Sequence, residues 1–216
     1  MKKNNLLLFA AGLFFFHSSQ AQFRMRPRYR RPARQTYQQP YFKPELNFSI
    51  GYGYPNLDKN ALLDFYQYYR GSTTQQGPIF GSLDYRFNRT TSIGAMVSYG
   101  KVSAPYYDYN SASTTQPNFT GRLENWSVLL NLVRYMPASP VVTPYVRTAF
   151  GINIWNQNYL DAAGNKVVTA LPDPPAFAYQ AGIGAKFNFS KHAGAFVEAG
   201  YGKYIVSAGL SFKLTK

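Results

Sequence analysis

From residue 45 to residue 216 apolar and small polar side chains alternate with a period of two, which only strands with two unlike faces can satisfy. The first run, 46–54, sets Leu46, Phe48, Ile50, Tyr52 and Tyr54 against Asn47, Ser49, Gly51 and Gly53. Seven more runs are predicted at 79–87, 92–100, 124–135, 145–154, 177–187, 195–201 and 204–214. The fourth is the least regular, because Leu129 and Val133 fall on its otherwise polar side. Eight short strands in one chain predict an all-β fold, an eight-stranded antiparallel up-and-down barrel.

The connections divide into two sets. Short ones fall at 88–90, 136–143 and 190–192, and longer ones at 55–76, 102–119 and 157–174; the last, near Gly202 and Lys203, is a short exception. Residues 61–69 within the first long connection have the composition of a short helix. An antiparallel meander puts all the short turns at one end, as in membrane barrels with short periplasmic turns and long outer loops.

Which face meets the outside follows from residue type. The polar face is built from Gly, Ser and Asn with few charges, whereas a water-facing strand surface is normally rich in Lys, Glu and Thr; small polar residues suit a crowded lumen. The other face carries bulky apolar side chains, with aromatics near the strand ends: Tyr52, Tyr54, Tyr85, Tyr99, Trp126, Tyr179, Tyr201 and Tyr204. Aromatic rings favour the lipid headgroup level. The aromatic fraction of 18% is high and the charged fraction of 15% low against about 25% in soluble domains, so much of the surface is expected to avoid water. Closure of an even number of strands leaves no unpaired backbone edge in hydrocarbon.

Two segments precede the barrel. Met1-Lys2-Lys3-Asn4-Asn5, the apolar run 6–16 and Ser18-Ser19-Gln20-Ala21 have the layout of a secretory signal peptide over residues 1–21, with cleavage expected after Ala21. The apolar run is about half the ~20 residues that a spanning helix needs. Residues 22–44 hold seven of the 23 basic residues, Arg24, Arg26, Arg28, Arg30, Arg31, Arg34 and Lys43, interspersed with four prolines. This segment reads as a disordered periplasmic tether. Its arginines are candidates for contact with an anionic polymer such as peptidoglycan or with lipid phosphate. Nucleic acid is not an expected partner of an exported chain.

The sequence resembles the small outer-membrane β-barrel proteins related to the transmembrane domain of the OmpA, OmpX and OmpW porin-like group, Gram-negative proteins. The resemblance spans residues 45–216 and is carried by Phe48-Ser49-Ile50-Gly51-Tyr52-Gly53, Ala181-Gly182-Ile183-Gly184-Ala185 and Ser207-Ala208-Gly209-Leu210-Ser211-Phe212-Lys213-Leu214. It implies an integral outer-membrane barrel surrounded by lipid. Many members end on an aromatic residue, whereas this chain ends Leu214-Thr215-Lys216, with Phe212 the last aromatic.

No catalytic, cofactor or metal site is predicted. There are no cysteines, and the histidine beyond the leader, His192, falls in a short turn without ligand-type neighbours. Gly51-Tyr52-Gly53 and Gly182-Ile183-Gly184 precede no helix that would hold a phosphate, so they read as packing residues. The enclosed face offers Asp84, Arg86, Arg147, Lys186, Glu198 and Lys213 as a lumen charge network. An unpaired desolvated charge costs several kcal/mol, so Asp84 and Glu198 are expected to pair with Arg147, Arg86 or Lys186 and help block the lumen. Three functional classes stay open: a structural or porin-like barrel, a surface interaction module such as an adhesin or secretion-system accessory barrel, and a soluble exported ligand-binding barrel.

Overall fold

The computed structural model describes residues 42–109, 116–136, 139, 141–167 and 172–214. The leader 1–21 and the tether arginines 24–34 lie outside the described residues. Within them the strands are β1 (Glu45–Tyr54), β2 (Tyr68–Arg70), β3 (Thr74–Arg86), β4 (Thr91–Asp108), β5 (Phe119–Tyr135), β6 (Val142–Leu160), β7 (Phe177–Asn188), β8 (Ala193–Tyr201) and β9 (Val206–Lys213).

Eight of these strands, all but β2, form a closed antiparallel up-and-down barrel. Each pairs with its neighbour in the order β1, β3, β4, β5, β6, β7, β8, β9, and β9 pairs back onto β1 through Asn47↔Lys213 to Tyr54↔Val206. The short β2 adds only to the outer end of β4, through Tyr68↔Asp108 to Arg70↔Tyr106. Residues 61–69, read as a short helix, instead follow a 3-10 helix at Leu57–Ala61 and lead into β2. Asn56 caps the 3-10 helix by accepting from the Asp58 amide at 3.0 Å.

The pleat sends alternate side chains inward and outward as the pattern requires. Phe48, Ile50, Leu83, Val97, Val128, Leu130, Ile152 and Leu210 stand exposed on the outer surface, while Asn47, Ser49, Ser82, Ser98, Ser127, Asn131 and Ser211 are buried inside. The irregular fourth run has a direct cause: Leu129 and Val133 point into the lumen, where they pack with Phe80, Met96 and Phe196. Interior glycines make room for large rings. A Cβ on Gly51 would come within 2.8 Å of both the Phe80 and Phe196 rings, and one on Gly53 within 2.5 Å of Tyr204. Gly77, at φ +76°, sits where the β3–β4 register shifts between Gln76 and Ile79.

Two expectations are corrected. Tyr204, assigned to the outer aromatic girdle, is fully buried, because β9 begins only at Val206 and the preceding turn swings the ring into the lumen. The long connections 102–119 and 157–174 are also shorter than expected, because β4, β5 and β6 run 18, 17 and 19 residues. About 9–11 residues suffice to cross a bilayer, so these three strands continue well past it as a projecting sheet.

The apolar face changes parity within that sheet. On β4 the outward residues Ile93, Val97 and Tyr99 give way to Lys101 and Ser103, while Val102, Ala104 and Tyr106 turn inward and are buried. On β5 outward Trp126, Val128 and Leu130 give way to Arg122 and Glu124, with Leu123 and Phe119 inward. On β6 outward Ile152 and Ile154 give way to Asn156 and Asn158, with Tyr159 inward. Lys101, Glu124 and Asn156 are register partners in one row across the three strands. Below the row hydrocarbon lies outside and the polar face must be enclosed; above it water lies outside and the apolar face must be.

Candidate functional site

The lumen is filled by side chains from every barrel strand, as the narrow interior of an eight-stranded barrel demands. At its centre Arg147 on β6 lies 3.2 Å from Glu198 on β8, with both side chains almost wholly buried. Tyr145 and Tyr204 each donate a hydroxyl hydrogen bond of 3.1 Å to the two Glu198 oxygens. The arginine contact is electrostatic and poorly aligned for a hydrogen bond, leaving Arg147 Nε and Nη1 without a hydrogen-bond acceptor. The Tyr145 and Phe196 rings lie 5.6 and 6.0 Å from the guanidinium and offer it their π faces instead.

The other charges named from sequence separate into different settings. Asp84 accepts hydrogen bonds from Asn131 at 2.6 Å and Ser82 at 3.1 Å rather than forming a close ion pair; Arg147 and Lys186 act on it through space. Arg86 and Lys213 both turn to Glu45, at 3.7 and 3.5 Å, at the short-turn end of the barrel. Arg86 also donates to the Arg89 carbonyl and lies between the rings of Phe42 and Tyr135. Lys186 lines the same end of the lumen with Asn47, Thr143 and Asn188. Between this end and the central pair, the free space bounded by Asp84, Tyr145, Arg147 and Phe196 is about 10 Å³, room for roughly one water. His192 is exposed in the β7–β8 turn, and Gly51, Gly53, Gly182 and Gly184 lie within strands. Among the described residues there is no cluster of three or more His, Cys, Asp or Glu side chains that could hold a metal ion.

The opposite mouth is covered by residues 55–73. Lys203, in the β8–β9 turn, contacts Asp58 of the 3-10 helix at 2.5 Å and Asn153 at 3.1 Å, and its backbone carbonyl accepts from the Leu57 amide at 3.0 Å. Asn125 bridges Asp58 and Asn153 at 3.1 and 2.9 Å. Burial pushes the Lys203 ammonium below the usual lysine value, and the Asp58 carboxylate opposes that shift. Above this polar layer the connection packs against the inner face of the projecting sheet. Phe65 meets Tyr106, Phe119 and Tyr159 edge-to-face at 5.3, 5.4 and 5.3 Å. Leu63 is held by both its backbone groups, its carbonyl accepting from the Tyr106 hydroxyl at 2.6 Å and its amide donating to Tyr159 at 3.0 Å.

Sequence reading missed Glu45, Asp58 and Lys203 as charge partners. Asp58 and Lys203 are 145 residues apart and both fall in connections, where period-two alternation assigns no face. Glu45 opens β1, and its inward position emerges only once β1 pairs with both β3 and β9. Tyr145 stood on the polar side of its run, and that position was the signal for its part in the central network.

The model of the outer membrane protein beta-barrel domain family matches residues 9–213. No curated protein matches the chain. Among solved structures, a designed protein described under "De novo design of transmembrane beta-barrels" is 19% identical, covering 79% of this chain and 95% of its own, with a TM-score of 0.40. Ail, the attachment invasion locus protein of Yersinia pestis, solved with the heparin analogue sucrose octasulfate, is 13% identical, covering 79% of this chain and 94% of its own, with a TM-score of 0.39.

Proposed function

Because the chain belongs to the outer membrane protein β-barrel domain family and so resides in an outer membrane, we propose that it serves as a closed, non-enzymatic barrel, a structural support rather than an open pore. The observation that carries this reading is the outer cap, where Asp58 and Lys203 form a buried pair across the mouth beneath the Phe65 aromatic cluster. The narrow space around Arg147 supports it from below. Planar-bilayer recording of the purified protein tests it: the expected result is no steady conductance above the bare membrane, and a large, sustained open current would overturn it.

A second reading, a surface interaction module, draws on the projecting sheet. Tyr66, in the connection packed against the sheet, is fully exposed, and at the sheet's edge Tyr69 stacks on Tyr107 with centroids 5.2 Å apart, beside Tyr109. Replacing Tyr66, Tyr69 and Tyr107 with Ser should abolish capture of a surface partner while leaving the barrel folded; unchanged capture would exclude the sheet. The leader and tether complete the proposal. Residues 1–21 direct export, checked by N-terminal sequencing for a start at Gln22, and the arginines at 24–34 hold an anionic polymer or lipid phosphate in the periplasm. That contact should weaken with salt and vanish when the arginines are replaced.

A further inference from the structure

We propose that the short-turn mouth of the barrel is a binding site for a phosphate group. A cavity of about 260 Å³ opens there, lined by Asn47, Arg86, Tyr135, Thr143, Lys186, Asn188 and Lys213. All seven carry hydrogen-bonding side chains, three are cations and none is a carboxylate. Glu45 contacts Arg86 and Lys213 at 3.7 and 3.5 Å, so the three cations of this mouth face one carboxylate and leave two positive charges in excess. The charge of a phosphate monoester dianion matches that excess.

The donors are held in place before any ligand arrives. The Arg86 guanidinium is fixed between Phe42 and Tyr135, at 5.3 and 4.4 Å from the ring centroids. Its Nε is buried without an acceptor. Lys186 lies in the wall of the cavity, and the carboxylate beyond it, Asp84, is engaged with Ser82 and Asn131. A tetrahedral oxyanion takes several charge-assisted hydrogen bonds from such a set. The cavity volume admits phosphate with accompanying water, and the constriction around Arg147 keeps the anion at this end. Because the long connections lie at the far mouth, the site faces the periplasm.

Phosphorus-31 NMR and calorimetric titration of inorganic phosphate into the full-length protein, folded in phospholipid-free detergent, test the site. Saturable binding to one site is expected, weakened at least tenfold in Lys186→Gln and in Lys213→Gln. Replacement of the six arginines at 24–34 with Gln should leave it within threefold. Absence of saturable binding, or binding unchanged in Lys186→Gln and Lys213→Gln, overturns the proposal. Should Lys186→Gln fail to fold by heat-modifiable migration, the partly exposed Lys213→Gln decides the matter alone. Displacement of phosphate by phosphatidic acid, a lipid whose headgroup is a phosphate monoester, added to the micelle assigns the natural ligand as a lipid headgroup, and lack of displacement assigns it as a free phosphate ester. A conducting barrel would sink the closed-lumen reading and leave this site standing.

Discussion

On the outer surface the Lys101 ammonium lies 2.8 Å from the Glu124 carboxylate, one pleat above Tyr99 and Trp126, whose rings pack at 4.8 Å. Tyr99 and Trp126 are register partners, as are Lys101, two residues further along β4, and Glu124, two residues back along β5. An aromatic pair at the headgroup level and a charged pair just above it mark where hydrocarbon ends on this side of the barrel.

That boundary makes the cost of an outward charge depend on height. Leu130→Arg, near the strand centre, should destabilise the folded protein by about 2–4 kcal/mol. Asn156→Arg, in the row of Lys101 and Glu124, should change stability by no more than about 0.5 kcal/mol. Urea titration in lipid vesicles, followed by tryptophan fluorescence, measures both; equal costs would mean that the row does not mark the boundary.

The central ion pair should be strongly asymmetric to mutation. Glu198→Ala leaves Arg147 buried and uncompensated and should cost about 3–5 kcal/mol. The double variant Glu198→Ala with Arg147→Met should recover most of that loss, because it removes the stranded charge as well. Equilibrium unfolding of these two variants and of Arg147→Met alone gives the coupling directly; simple additivity would show that the two groups act independently.

The cap should come loose without the barrel. Phe65→Ala removes the ring that Tyr106, Phe119 and Tyr159 surround and should take about 3 kcal/mol from the cap. Limited proteolysis should then cut within residues 55–73 while the fragments still migrate as a folded barrel. Resistance equal to that of the parent would show that Asp58 and Lys203 hold the connection alone.

The β6–β7 connection should respond to acid through Asp161. Hydrogen bonds from the Asn165 amide at 2.8 Å and side chain at 3.2 Å hold its carboxyl below the usual value of 3.8. A carboxyl with a lowered folded-state pKa contributes stability fully present above 3.8 and lost as pH falls through the folded value. Protection of the Asn165 amide against exchange, relative to its intrinsic rate at each pH, should therefore fall below that range, and Asp161→Asn should make that protection independent of pH there.

What a strand pattern discloses depends on distance along the chain. The face taken by Phe48, Leu83, Val128 or Leu210 follows from the pleat alone, so the strands, their lipid side and the closed antiparallel barrel were all legible in period-two alternation. Beyond residue 101 the same alternation continues, yet Lys101, Ser103, Pro105 and Tyr107 have the composition of a loop, and the strand went unread there. Its inward partners Val102, Ala104 and Tyr106 acquire meaning only when residues 55–73 fold over them.

By itself the sequence determined which side of each strand is apolar and at which end the chain turns tightly, because both are set within a few neighbouring residues. Tertiary structure alone decided that Arg147 meets Glu198, that Glu45 serves both Arg86 and Lys213, and that Lys203 reaches Asp58. Those meetings depend on the register with which β9 closes onto β1 and on the fold of a connection over the mouth. Closure is a property of the whole ring of strands, and no local run of residues encodes it.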